Sequence, residues 1–179
     1  MTILAIDIGT STGWAIQYDD GRIESGYVSF KPNKNESKLL RFAKFNKWLE
    51  CNFKNVDKIY YEMVRGHAGV HAAHMYGGFL AFLGVWCNEN KIPMDYIEVK
   101  TLKKFATGNG NAGKPEMIAA AIAAGFNVSN DDEADAIHLL RYAIEREKLF
   151  SRKRNDKTHT TQSEVYNSEE ASASRQSVC

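Results

Sequence analysis

Four acidic side chains stand next to apolar stretches of the sequence, where a charge is costly unless another group pairs with it. Asp7 follows the apolar residues 3–6, Glu62 ends the stretch "KIYYE", and Asp132 and Asp135 open the last helical segment. Residues three apart in a helix point to the same side. Four carboxylates gathered at one end of a sheet repel each other unless they are protonated or bridged by cations. Their oxygens suit Mg²⁺, for which Mn²⁺ can substitute.

The chemistry that such a set predicts is phosphodiester hydrolysis. Two divalent ions about 4 Å apart activate a water molecule and stabilise the leaving oxygen of an in-line displacement. Each acid taken alone has a plainer interpretation: Asp135 as a cap or solvated acid, and Asp7 as a turn residue contacting the backbone of "GTSTG". The set is more specific than its members, and it requires elements that bring distant parts of the chain together.

The period of the apolar residues predicts those elements. "TILAIDI", "GWAIQY" and "RIESGYVSF" predict an antiparallel three-strand meander, and "DKIYYE" and "MDYIEV" predict a fourth and a fifth strand. Helical spacing covers residues 37–53, 71–90, 114–125 and 131–150, and the second of these helices is apolar enough to predict that it is mostly buried. The order predicts an α/β fold in which helices flank a five-stranded mixed sheet.

Composition predicts one globular domain followed by a tail. Of the 179 residues, 44% are hydrophobic and 25% are charged. We assign residues 1–150 to the domain and predict that residues 151–179, which are polar and Ser-rich, form a flexible tail. The net charge of +1 does not by itself point to a polyanionic partner. Binding such a partner would therefore require a local basic patch. Three scattered cysteines and the lack of a signal or membrane pattern favour a cytoplasmic protein.

Five motifs resemble, in order, those of the RuvC-like Holliday junction resolvases. They are "AIDIGTSTGWA", "YYE", "VK" at 99–100, "AGK" ending at Lys114, and "DEADA" at 132–136. The resemblance implies an RNase H-like fold of the retroviral integrase superfamily and a magnesium-dependent endonuclease that resolves four-way DNA junctions as a homodimer. It also implies a metal site made by Asp7, Glu62, Asp132 and Asp135. Two lysines, matching Lys100 and Lys114, are then expected near the scissile phosphate.

The segment "TGNGNAGKPEM" has the glycine and lysine spacing of a nucleotide-binding Walker A loop. Pro115 replaces its Ser or Thr, and the preceding "TLKKFAT" looks helical where such a loop follows a strand. We therefore favour a mobile loop that brings Lys114 onto a phosphate of the DNA backbone. The alternative is a flexible surface loop with one solvated lysine.

Further basic residues are candidates for binding DNA. Lys100, Lys103 and Lys104 lie close together and can supply the local patch that the net charge lacks, although a solvated helix face explains them too. In the family that the motifs resemble, an aromatic wedge commonly follows the second acid by three residues, and this chain has Arg65 there. The sequence thus leaves open whether forks and flaps are cut as readily as four-way junctions.

Alternatives remain for the partner surface and for the function. The helix at 71–90 predicts either a dimer interface or a central core helix. A RuvC-like ribonuclease that processes structured or ribosomal precursor RNA is the second candidate function. A nucleotide-binding fragment of an actin-like fold is the third, because "DIGTSTG" resembles the first phosphate motif of that fold.

Overall fold

The computed structural model describes the backbone of residues 1–66 and 69–173, and the side chains of the same ranges as far as residue 153. Its strands and helices follow in chain order: β1 (Ile3–Asp7), β2 (Ser11–Gln17), β3 (Ile23–Ser29), α1 (Leu40–Asn52), β4 (Lys58–Met63), α2 (Val70–Glu89), β5 (Met94–Glu98), α3 (Val99–Thr107), α4 (Lys114–Ala123) and α5 (Asp131–Ala173).

The five strands form one mixed sheet in the order β3-β2-β1-β4-β5. Strands β1, β2 and β3 pair antiparallel as a meander, whereas β4 runs parallel to β1, and β5 parallel to β4. Strand β1 lies at the centre of the sheet. Its unbroken apolar run suits that position, because a central strand is buried on both faces. This architecture confirms the predicted α/β fold.

Alternation along the strands separates two faces of the sheet. Leu4, Ile6 and Ile59 belong to a hydrophobic cluster that also contains residues of α1 and α2. Because successive side chains point to opposite faces, Ala5 and Asp7 lie on the other face of β1. On that face Ala5 pairs with Ala15, and Ala15 pairs with Ser25. This row of small side chains leaves room for a helix to lie close to the sheet.

Aromatic side chains fill the face covered by α1 and α2. Phe79 of α2 packs at 5.0 Å from the ring of Phe42 and at 5.2 Å from that of Phe45. A Cβ atom at Gly78 would lie 2.4 Å from Phe42, so only glycine permits this approach of the two helices. The core is therefore built from large rings that meet mostly edge to face.

Helix α2 differs from its prediction, because only one side of it is buried. Its buried residues are Phe79, Leu83, Trp86 and Cys87, while Val70 and Val85 are 72% and 55% exposed. By length and composition alone α2 could cross a membrane, but its buried residues pack into the core of this fold. The prediction of a mostly buried helix was wrong, since a helix that is apolar all round does not reveal which side faces the core.

Helix α5 continues to Ala173, past the point at which the sequence predicts a tail. The chain divides into two compact units, Met1–Ala143 and Ile144–Cys179, and the candidate site lies wholly in the first. Residues 174–179 lie outside the described part of the chain. The assignment of residues 1–150 to one domain stays a prediction.

Candidate active site

Asp7 and Glu62 are brought together by the pairing of β1 with β4. The parallel register places Ile6 beside Tyr61, so the next residues along the two strands are Asp7 and Glu62. Neighbouring strands lie about 4.8 Å apart, and paired residues share a face. Two carboxylates from distant parts of the sequence thus meet at the carboxyl edge of the central strands.

The first turn of α5 meets this edge at Gly13, which pairs with Asp7 in the register of β1 and β2. A Cβ atom at Gly13 would lie 1.8 Å from the carbonyl oxygen of Asp132, so any side chain there would displace the helix. Ser11, at the start of β2, donates a hydrogen bond to the Asp132 carboxylate. Asp132 and Asp135 therefore approach Asp7 because β2 offers a glycine to the helix backbone.

The charges of these acids act on one another. Burial, followed by the charges of Glu62, Asp135 and Asp132, raises the pKa of Asp7 well above its ordinary value. Burial and the nearby Asp135 raise the pKa of Glu62 to about 7. Burial also raises the pKa of Asp135 to about 6, even though the ammonium of Lys103 opposes the shift. Burial is the largest cause of all three shifts, and the neighbouring charges that add to it place these acids close to one another.

One oxygen of this site has no partner. The Oδ1 atom of Asp135 is buried and makes no hydrogen bond within the described residues. Burying an acceptor without a partner is costly, so such an atom calls for an unseen ligand or a functional role. Hard divalent cations such as Mg²⁺ prefer oxygen ligands, so an unpaired carboxylate oxygen among other carboxylates is a suitable ligand for one.

The side chains do not already stand in a closed coordination shell. Among the described residues, no three His, Cys, Asp or Glu side chains have the arrangement of a ready metal-binding cluster. Asp132 is engaged with Ser11, and the remaining carboxylates repel one another. The carboxylate oxygens are suitable ligands for Mg²⁺ or Mn²⁺, but the carboxylates would have to move closer together when cations bind.

Two lysines lie at this site. Lys103 donates a hydrogen bond of 2.7 Å to the carbonyl of Ala112, and its charge lowers the pKa of both Glu62 and Asp135. Lys114, the first residue of α4, forms an ion pair with Asp131 and also acts on the pKa of Asp135. Lys103 thus holds the end of the glycine-rich loop, and Lys114 lies at its exit.

The loop itself does not have the form of a nucleotide-binding P-loop. It connects α3 to α4, whereas a Walker A loop follows a buried strand. Gly108 adopts a left-handed conformation with φ of 81°, which ends α3. Glu116 accepts a hydrogen bond of 2.6 Å from the Gly113 amide and fixes the start of α4.

The remaining predicted DNA contacts lie outside the acidic cluster. Lys100 and Lys104 are exposed on α3. Arg65 is exposed as well, and it donates to Glu98 at 3.0 Å from Nε and 2.5 Å from a terminal nitrogen. Arg65 and Lys100 line one groove at the ends of β4 and β5. Their contact with DNA stays a prediction.

Sequence reasoning missed three residues that organise the site: Ser11, Asp131 and Glu133. Ser11 lay in a stretch interpreted as a turn, and Asp131 and Glu133 resembled solvated acids at a helix start. In the structure, Asp131 holds Lys114, and Glu133 is only 5% exposed. The density of acids in "DDEADA" was a signal that more than two of them have partners.

A five-stranded mixed sheet in which an antiparallel meander is followed by two parallel strands, in the order β3-β2-β1-β4-β5, defines the RNase H-like fold. No protein-family model matches the chain, and no curated protein matches it in sequence. In structure it is similar to T. thermophilus RuvC in complex with a Holliday junction substrate, with a TM-score of 0.62 and 20% identity over 78% of this chain and 90% of that one.

Two further solved structures show the same likeness. A second structure of Thermus thermophilus RuvC gives a TM-score of 0.60 and 19% identity, again over 78% of this chain and 90% of the other. The yeast mitochondrial Holliday junction resolvase gives 0.51 and 15%, over 76% of this chain and 75% of the other. The chain therefore has the RuvC-like form of the RNase H-like fold, as its motifs predicted.

Proposed function

We propose that this protein is a divalent-metal-dependent endonuclease that resolves Holliday junctions and related branched DNA. The observation that carries the proposal is the convergence of Asp7, Glu62 and Asp135, whose pKa values are all raised, first by burial and then by neighbouring carboxylates, beside a buried Asp135 oxygen that has no hydrogen-bond partner within the described residues. Structural proteins have no need of mutually repelling buried acids, because such a group lowers the free energy of unfolding.

The carboxylates would hold Mg²⁺ or Mn²⁺, with Asp7 and Asp135 as principal ligands, Glu62 at a second ion, and Asp132 completing the site. When bound, such ions supply an activated water and stabilise the leaving oxygen of a phosphodiester. Lys114 is 76% exposed beside Asp131, so it can exchange a weak surface ion pair for a DNA phosphate. Lys103 offsets part of the negative charge before cations bind.

Branched DNA is the proposed substrate because of the likeness to RuvC with a Holliday junction bound. Arg65, Lys100 and Lys104 are the proposed contacts with the DNA backbone. Arg65 differs from an aromatic wedge in that a guanidinium can pair with phosphate or stack on a base. Forks and flaps therefore belong among the proposed substrates beside four-way junctions.

A homodimer is proposed because two equivalent sites are needed to cut a two-fold junction symmetrically. Helix α2 supports this, since glycine weakens a helix, yet a Cβ atom added at Gly77 or Gly84 would meet nothing within 4 Å in the described chain. They lie seven residues apart on the side that carries the exposed Val85. Small residues on an exposed apolar helix allow a second helix to pack closely.

The other candidate functions have less support. A ribonuclease acting on structured or ribosomal precursor RNA would use the same carboxylates. Only a comparison of RNA and DNA substrates therefore distinguishes it from the proposed DNA endonuclease. An actin-like nucleotide site is disfavoured, because actin-like proteins use two such domains, whereas the first unit of this chain contains one five-stranded sheet.

The decisive experiment compares purified wild type with Asp7→Asn on labelled four-way junctions, three-way junctions, linear duplex and folded RNA, with Mg²⁺ or with EDTA. We expect paired nicks in the four-way junction that require Mg²⁺. Asp7→Asn should show no detectable cleavage, because it removes a central carboxylate, but should still shift the junction in a gel.

The control is Asp20→Asn, which changes an exposed acid in the turn before β3 and should leave cleavage unchanged. Full activity of Asp7→Asn would remove the carboxylate site from the mechanism. Cleavage of RNA in preference to every DNA substrate would transfer the proposal to the ribonuclease function.

A further inference from the structure

Glu133 lies between the two proposed ligands Asp132 and Asp135 in sequence, yet it takes no part in their cluster. Its side chain is only 5% exposed. One carboxylate oxygen accepts a hydrogen bond of 2.7 Å from the Ser25 hydroxyl, and the other accepts one of 2.8 Å from the Ser129 amide. Both oxygens are thus satisfied, and the contact to Ser25 joins the helix to a strand more than a hundred residues earlier.

The contacts around Glu133 lock the first turn of α5. The amide of Glu133 donates a hydrogen bond of 2.9 Å to the side chain of Asn130, which caps the helix. With the Ser129 contact this forms a reciprocal arrangement like a capping box. The cap fixes the conformation of the helix start, but by itself it does not fix where that start lies on the sheet.

Ser25 supplies the position. It ends the row of small residues that runs from Ala5 through Ala15 across three strands, and it lies on the edge strand β3. Glu133 spans that row and holds the helix from its far side, while Gly13 admits the Asp132 backbone nearer the centre. One contact is made at the Asp132 backbone and the other at the Glu133 side chain, so together they restrict how the first turn can pivot.

We propose that Glu133 and Ser25 are a positioning pair, a bridge between β3 and α5 that sets the approach of Asp132 and Asp135 to Asp7 and so the affinity of the site for divalent cations. This rests on the proposed function, because it assumes that the cluster holds metal. The role of Glu133 is to accept two hydrogen bonds, and it requires no negative charge.

The test measures binding of Mn²⁺ alone, by calorimetric titration and by the rise in melting temperature that Mn²⁺ produces. Residues that orient metal ligands change affinity by about 10-fold to 100-fold when they are removed. We expect Glu133→Ala and Ser25→Ala to weaken Mn²⁺ binding about 10-fold. Both variants should also show a smaller rise in melting temperature when Mn²⁺ is added. Glu133→Gln should keep near wild-type affinity, because its amide can accept from Ser129 and donate to the Ser25 hydroxyl.

Ile92→Val is the control for plain destabilisation, since Ile92 is a buried core residue distant in sequence from the site elements. It should lower the melting temperature with and without Mn²⁺ by the same amount. A metal-induced rise in Glu133→Ala equal to that of wild type would overturn the positioning role alone. A Glu133→Gln variant that binds Mn²⁺ as weakly as Glu133→Ala would also overturn the positioning role. A wild-type protein that does not bind Mn²⁺ would overturn the proposed metal site as well.

Discussion

Burial sets the charge state of the acidic side chains before any cation binds. The pKa of Glu62 is about 7 and that of Asp135 about 6, against ordinary values of 4.5 and 3.8. Since the folded chain binds these protons more tightly than the unfolded chain does, the contribution to stability is full below about pH 4. It is lost as the pH rises through the folded values, that is, between about pH 6 and pH 7.

We therefore expect the melting temperature of the protein in EDTA to fall between about pH 5 and pH 8, by the equivalent of roughly 3 kcal/mol. The check is thermal unfolding followed by circular dichroism across that range. Glu62→Gln should flatten the slope, because it removes a buried acid whose pKa of about 7 lies within that range. His138 acts in the opposite sense, since burial lowers its pKa and its contribution is lost on acidification. A wild-type melting temperature that rises steadily to pH 8 would contradict the raised pKa values of the buried acids.

Lys114 should contribute to the rate of cleavage more than to DNA affinity. It is one cation among several at the surface, but it lies beside Asp131 and close enough to affect the pKa of Asp135. We expect Lys114→Ala to lower the single-turnover rate about 100-fold, as loss of a group that stabilises developing charge does. The matched variant Lys47→Ala removes an exposed lysine of α1, outside the proposed site, and should keep the rate. An unchanged rate in Lys114→Ala would limit the loop to a structural role.

At the scale of elements, the site depends on how closely α5 approaches β2. Gly13→Ala places a Cβ atom 1.8 Å from the Asp132 carbonyl oxygen, and its nearest neighbours are all backbone atoms of α5, which cannot rotate away as a side chain could. We expect this variant to lose Mg²⁺-dependent cleavage by more than its loss of folded protein explains. The measurement is the cleavage rate at a temperature where thermal unfolding shows the chain to be folded.

Gly78→Ala provides the comparison, because its Cβ atom would meet the Phe42 ring at 2.4 Å in the core between α1 and α2. It should lower the melting temperature while the folded protein keeps its cleavage rate. If both glycine variants lose activity in proportion to stability, the approach of α5 to β2 has no special importance for the site.

The elements themselves were largely predictable, because a period of two or of 3.6 residues survives in the sequence wherever one face is buried. The burial of α2 was not, since an apolar helix lacks that asymmetry. Asp7 and Glu62 could be predicted as site residues because each interrupts or ends a buried strand. Ser11 and Glu133 could not, because their partners are known only once β2 and β3 lie beside α5.

At the scale of the whole molecule, the exposed side of α2 is the surface that the single chain leaves unexplained. Val70 and Val85 are 72% and 55% exposed there, on a helix whose other side is packed in the core. Gly77 and Gly84 each cost helix stability, by about 1 kcal/mol relative to alanine, although a Cβ atom at either position would meet nothing within 4 Å in the described chain. A second copy of α2 packed against them would account for both features.

We expect the wild type to sediment as a dimer at micromolar concentration and Val85→Glu to sediment as a monomer, because a charge would be buried against the partner helix. Leu39→Glu is the control, since Leu39 is 66% exposed just before α1 and outside the α2 surface. The monomeric variant should still nick one strand of a four-way junction but should lose the symmetric second nick. A dimeric Val85→Glu would place the interface elsewhere, and a monomeric wild type that makes paired nicks would show that assembly occurs only on the DNA.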